Sequence, residues 1–444
     1  MNLIAQKLLR NFNYDGLLPE EKRTFKLHLG YTVFDNFVAG VLTLNEFVFL
    51  RSLNGSSYQL SFLFQFSVLA FIFLIFVSEW LKRIQNKQKL IRIVGIATRA
   101  PLAVLLFFPR SAEAMNANSV YHLIFLLLFF IYYLGNPIIF PTINLFLKNN
   151  YRHENFGRLY SLATVYGKVL MLVTAFIYGI LLDYDKYAYT WVFALAATAG
   201  VVSVVLLSRI HYTESAAVVP KGGFLKSVLE SAKGMRRIMK DNTPFRHFEL
   251  GFLFYGFAFM STVTVMTIFF EKQLGLNYFS VAAYKNAYNI IALFLIPFFG
   301  RILGKIDPRK FAAFTFASIM FYLLSLVLTF YFPQHTQIGN FKLFYSMIPF
   351  VLFHSVFAAT MSLLWSIGSA YFCKPHEAGD YQSVHLFLTA TRAVFAPLLG
   401  VLFYELYGFV FTFCVGAASL FMAIIIMIWS YKKDQVKVLT NQVH

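Results

Sequence analysis

Seven ionisable residues stand inside stretches that are otherwise apolar: Asp35, Glu46, Arg99, Lys168, Lys285, His354 and Arg392. A charge in hydrocarbon costs at least about 2.5 kcal/mol, so each needs a counter-charge, a watery cavity or a short route to the headgroups. Counted from the ends of their apolar runs, Asp35 and Arg99 share one depth, and Glu46 and Lys285 share another near the opposite face. Each of those depths pairs an acid with a base, and these four are the expected coupling or gating groups. Lys168, His354 and Arg392 fall near the middle, where the count finds no acid. A basic cluster without compensation lowers the cost of bringing in a carboxylate, phosphate or sulfonate. Lys168 and Arg392 are therefore the expected counter-ions of an anionic ligand, with His354, Tyr166, Asn136 and Asn289 beside them. The structural alternatives are that Arg392 bonds carbonyls freed by Pro397, that Lys168 snorkels, and that His354 is a packing residue. Asp35, Glu46 and His354 can exchange a proton when burial shifts them, so H+ is the expected coupling ion.

The elements that must position these groups follow from composition. Of 444 residues, 59% are hydrophobic and 13% charged, which is too little polar surface for a soluble protein of this size. Apolar runs near 27–50, 57–80, 90–109, 119–147, 158–182 and 187–208 are each long enough to cross about 30 Å of hydrocarbon as a helix. Six more lie near 247–270, 277–303, 310–332, 342–372, 382–404 and 407–431. The fold class expected is therefore an all-α polytopic membrane protein of about twelve spans. The expected organisation is a six-helix bundle over 1–209, a cytoplasmic linker over 210–245, a second bundle over 246–431 and a tail over 432–444.

The net charge of +18 sits mainly in short loops on one side, which fits the positive-inside rule and does not call for nucleic acid. Lys82, Arg83, Lys87, Lys89 and Arg92 follow the second run, and Arg301, Lys305, Arg309 and Lys310 follow the eighth. Both termini are expected to be cytoplasmic. Within the linker, Leu225, Val228, Leu229, Ala232, Met235 and Met239 recur at helical spacing, off the line of Lys226, Lys233, Arg237 and Lys240, as in a helix lying on lipid headgroups. The first 23 residues lack the apolar core of a cleaved signal. With only Cys373 and Cys414, no disulfide framework or thiolate metal site is offered, and no phosphate loop or catalytic pair appears. Neither enzyme activity nor a cofactor or metal is expected.

An offset of 222 residues, the separation of Gly157 and Gly379, also sets Ser161 against Ser383, Asp183 against Glu405 and Arg83 against Lys305. Two halves related by an axis along the membrane normal are implied. The stretch GRILGKIDPRK, with Gly300, Arg301 and Lys305, resembles the loop between the second and third helices of each half in major facilitators. Lys82 and Gly304 stand where that family carries an acid. The stretch DYQSVHLFLTATRAVFAPLLG resembles the family's eleventh helix, with Ala396, Pro397 and Gly400 as a bend. The drug-antiporter signature is missing, since Ile131 stands four residues before Gly135 and Lys168 follows Gly167. The resemblance implies a secondary active transporter working by alternating access on a small or amphiphilic organic anion, as a monomer in the lipid bilayer. Short loops suggest a bacterial inner membrane. A lipid flippase and a non-transporting sensor or assembly subunit are the alternatives on the same fold.

Overall fold

The computed structural model of the chain describes residues 16–443 apart from 82–83, 85, 112, 116–118, 213–223, 304 and 375–376. Among the described residues, ten helices are long and apolar enough to cross a membrane. The last of them, Asp380–Gln435, is two spans. At Gly408 the backbone enters the left-handed region at φ 83, where glycine carries no Cβ penalty. On one side of this break Gly400 lies against Ser261, and on the other Gly416 lies against Thr262. The chain has therefore turned back on itself between the two glycines. The interrupted helix over 57–81 completes a set of twelve.

The first six spans are Pro19–Arg51, 57–81, Lys87–Phe107, Val120–Asn150, His153–Tyr184 and Tyr189–Leu207. A linker helix, Phe224–Asp241, leads to Thr243–Gln273, Tyr278–Leu303, Pro308–Tyr331 and Met347–Ile367 as spans seven to ten. The eleventh covers 378–407 and the twelfth 409–443. We call the side that carries residue 16, the linker helix and residue 443 the terminal face, and the opposite side the distal face.

Polar caps mark where spans meet the interface. Ser56 and Gln59 form a capping box that opens the second span, and Asn242 and Asp307 accept from Phe245 and Arg309 backbone N–H at the seventh and ninth. Two spans break where proline removes a donor. The fourth stops at Leu134 and restarts at Asn136, beside Pro137; the eleventh stops at Ala393 and restarts at Ala396, beside Pro397. The second is the bend expected at Ala396, Pro397 and Gly400.

One element departs from the sequence reading. Residues 342–372 do not form a single helix, because a hairpin precedes the tenth span: β1, His335–Ile338, pairs antiparallel with β2, Phe341–Phe344. Its two-residue Gly339–Asn340 turn has Gly339 at φ 56, the geometry that hairpin twist favours. The Tyr284 hydroxyl donates to the Lys342 carbonyl and accepts from the Phe344 N–H, both at 2.9 Å, which pins the hairpin on the distal face.

Two seams join the halves: the fifth span packs on the eighth, and the second on the eleventh. The linker helix touches the second, seventh and eleventh spans at the terminal face and so bridges the second seam.

Candidate functional site

Along the fifth span, Leu172, Phe176, Gly179 and Asp183 follow one another at intervals of three or four, so they share a stripe. That stripe meets the eighth span: the Leu172 carbonyl accepts from Asn286 Nδ2 at 2.9 Å, Phe176 meets Phe279 edge-on, and Gly179 lies against Ala282. At its distal end both Asp183 oxygens accept backbone N–H groups, from Tyr278 at 2.8 Å and Phe279 at 2.9 Å. A carboxylate from one half thus caps the first helical turn of the other. Arg51 adds a bond from its guanidinium to the Leu276 carbonyl, and Ser52 bonds the Tyr278 hydroxyl.

One turn toward the terminal face from Leu172, on the same stripe, stands Lys168. It is half-buried, and among the described residues its ammonium has neither a hydrogen-bond nor an ion-pair partner. The other cations among the seven intramembrane ionisable residues have neighbours. Lys285 Nζ lies 3.7 Å from Glu46 Oε2 and donates to the Thr43 carbonyl at 2.6 Å, so this pair ties the eighth span to the first across the halves. Arg99 Nη2 stands 4.0 Å from Asp35 Oδ1, its Nη1 donates to Thr98 Oγ1 at 3.0 Å, and the guanidinium lies over the Tyr132 ring. Both depth-matched acid–base pairs read from the sequence are therefore neighbours in space.

The expected central cluster is not one cluster. His354 is stacked between Tyr288, 3.7 Å away centroid to centroid, and Tyr322 at 4.7 Å, with Lys285 as its charged neighbour. Arg392 is 1% exposed and lies against Gly256, where an added Cβ would fall 1.9 Å from its Nε. Its Nη2 donates to Thr389 Oγ1 at 2.8 Å. The carbonyl at the Pro397 break is served by another group, because Gln65 Nε2 donates to the Val394 carbonyl at 2.9 Å from the second span. Asn289 donates to the Lys285 carbonyl of its own helix, Asn136 is partly buried, and Tyr166 is 38% exposed. Gly300, Arg301 and Lys305 are exposed at the terminal face, and Arg83 lies outside the described residues.

One correction follows: Arg392 feels the charge of an acid, Glu249, which stands about two helical turns from Gly256 on the seventh span. The same acid is paired with His385, which is 2% exposed and whose Nδ1 lies 2.9 Å from Glu249 Oε1. A depth count assigns Glu249 to the first turns of a span whose sequence, TPFRHFELGF, looks like a membrane-surface entry. The signal that was available is its spacing: Glu249, Phe252 and Gly256 fall on one helical face.

This chain belongs to the Major Facilitator Superfamily, whose family model matches residues 27–391. It is an integral, multi-pass membrane protein with a transport fold, and alternating access between its two halves fits that family. Similar solved structures include a nucleoside transporter (TM-score 0.66, 12% identity, covering 93% of this chain and 100% of that one). A peptide transporter in complex with sulfate is similar at TM-score 0.66 and 13% identity, covering 92% of this chain and 94% of the other. A human organic anion transporter is similar at TM-score 0.61 and 13% identity, covering 92% and 100% respectively. No curated protein matches the sequence significantly. At these identities the likeness carries the fold.

Proposed function

We propose that the chain is a secondary active transporter of a small or amphiphilic organic anion, coupled to protons, that binds its substrate beside Lys168. The unpaired Lys168 ammonium on the stripe that faces the other half carries this reading. An anion seated there supplies the counter-charge the chain withholds, in a region where a charge-assisted bond is strong. In this reading Asn289 and Tyr166 supply neutral donors and acceptors to the substrate, and Arg392 acts from within its own half. Similarity to an organic anion transporter agrees with the reading but at 13% identity does not carry it. We place both termini on the cytoplasmic side of a bacterial inner membrane, and the working unit is a monomer.

A second reading keeps the anionic head and adds a long acyl chain. A crevice of about 350 Å³ between the second and fourth spans, walled by Phe73, Phe76, Val77, Trp80 and Leu134, is the feature that favours it.

The test is thermal stabilisation of the purified protein by monocarboxylates, dicarboxylates, sulfonates, phosphate esters and lysophospholipids, followed by proteoliposome transport of the best compound. Lys168→Arg should keep binding and Lys168→Gln should lose at least tenfold in affinity. Stabilisation by neutral compounds, undiminished in Lys168→Gln, would overturn the anion reading.

A further inference from the structure

Between the seventh and eleventh spans, toward the terminal face, lie three ionisable side chains that the acid–base pairs above do not use. Glu249 is 1% exposed in its side chain, His385 2%, and Arg392 1%. They are held by small and aromatic neighbours. Phe252 and Trp365 each present a ring edge to His385 at 4.8 Å between centroids, and Gly256 lets the Arg392 guanidinium lie on the seventh helix. The single strong contact is the 2.9 Å bond from His385 Nδ1 to Glu249 Oε1. Four polar atoms of the cluster have no partner among the described residues: Glu249 Oε2, His385 Nε2, and Arg392 Nε and Nη1. Leaving even one buried polar atom unpaired costs about 1–3 kcal/mol, so four in one place mark a site that something else completes.

We propose that Glu249 and His385, with Arg392 beside them, form a proton-binding site inside the C-terminal half. With the pair carrying one proton on the imidazole Nδ1, carboxylate and guanidinium cancel and the cluster is neutral. A second proton, taken up at His385 Nε2 or Glu249 Oε2, turns that acceptor into a donor and leaves a net positive charge in the half. Such a charge favours an anion in the neighbouring cavity, so proton and substrate load together; this last step rests on the proton-coupled reading, whereas the site itself does not. The other groups facing the cluster are few. Tyr255 of the seventh span is the remaining titratable neighbour of Arg392, the tenth span contributes the neutral Trp365, and the second span contributes Gln65 at the eleventh-helix break. The linker helix packs on both spans and turns Arg236, Arg237 and Lys240 outward into exposure.

The experiment is a pH-stepped infrared difference spectrum of the protein in bilayers, which reads proton binding whether or not transport uses it. The wild type should show a carboxylic-acid carbonyl band and imidazole bands titrating together. Glu249→Gln should delete the carbonyl component, His385→Asn should move its midpoint by at least one pH unit, and Glu249→Asp should keep a shifted band. Identical spectra for wild type and a folded Glu249→Gln protein would overturn the proposal. A wild type that titrates here yet moves its substrate without protons would leave the site standing and sink the coupling.

Discussion

The cap that Asp183 places on the eighth helix should control how often the distal seam opens. Its two oxygens hold the N–H groups of Tyr278 and Phe279, which would otherwise have no partner inside the helix. A hydrogen bond to a charged acceptor contributes about 1.5–3 kcal/mol net, and the two share one carboxylate, so the pair stabilises the closed seam by about 3 kcal/mol. At 1.4 kcal/mol per factor of ten, Asp183→Ala should raise the open population about 100-fold. The seam can be probed at Ala282, which is fully buried against Gly179. In a background lacking Cys373 and Cys414, an Ala282→Cys thiol should react with a membrane-impermeant maleimide at a rate set by that open population. Asp183→Ala should speed labelling by about two orders of magnitude. Asp185→Ala, which removes the bonds to Arg110 and to the Tyr187 N–H within the same half, should leave it unchanged. A labelling rate that rises less than about threefold in a folded Asp183→Ala protein would refute the reasoning, since it would mean the cap contributes under about 1 kcal/mol.

Two further outcomes test the packing that positions the site. Gly400→Ala would place a methyl 1.9 Å from the Ser261 carbonyl, a backbone atom that cannot swing aside, so thermal melting of the purified protein should fall by the equivalent of about 1–3 kcal/mol. Gly300→Ala, open on all sides, serves as the control that should melt as wild type. Gln65→Leu removes the donor to the Val394 carbonyl and should cost about 1–3 kcal/mol, read by the same melting curve, whereas Gln65→Glu, which offers no amide donor, should do no better than leucine.

Helix count and both acid–base pairs were legible because they rest on run length and on depth along a helix. Asp35 and Arg99, or Glu46 and Lys285, need only comparable depth and adjacent spans to meet. What was not legible depends on azimuth, the direction in which a side chain leaves its helix. The run-length count puts Lys168, His354 and Arg392 at one depth, but they leave their helices in different directions. One faces the other half, one is sandwiched between tyrosines, and one lies on the seventh helix. In spans that are apolar almost all round, no amphipathic stripe marks the inward face. The hairpin over 335–344 was missed for a related reason: FKLF reads equally as the start of an apolar helix or as a short strand, and only the Gly339–Asn340 turn separates the two.

The three ionic sites differ in what a rocking motion would ask of them. Asp35–Arg99 joins two spans of the first half, and Glu249–His385–Arg392 joins two spans of the second, so rigid halves carry both intact. Glu46–Lys285 crosses the halves and has to part when the distal face opens, together with the Arg51 and Asp183 contacts beyond it. Displacement grows with distance from a pivot. The neutral contacts from Asn286 to Leu172 and from Gln65 to Val394 sit nearer mid-span, one on each seam, and so define an axis that distal opening need not break. Lys168 stands one turn to the terminal side of that axis and the Glu46–Lys285 pair lies on its distal side. Under the proposed function, an anion bound at Lys168 and the Glu46–Lys285 pair therefore act on opposite arms of the same lever, so that loading one arm biases the other without any contact between them.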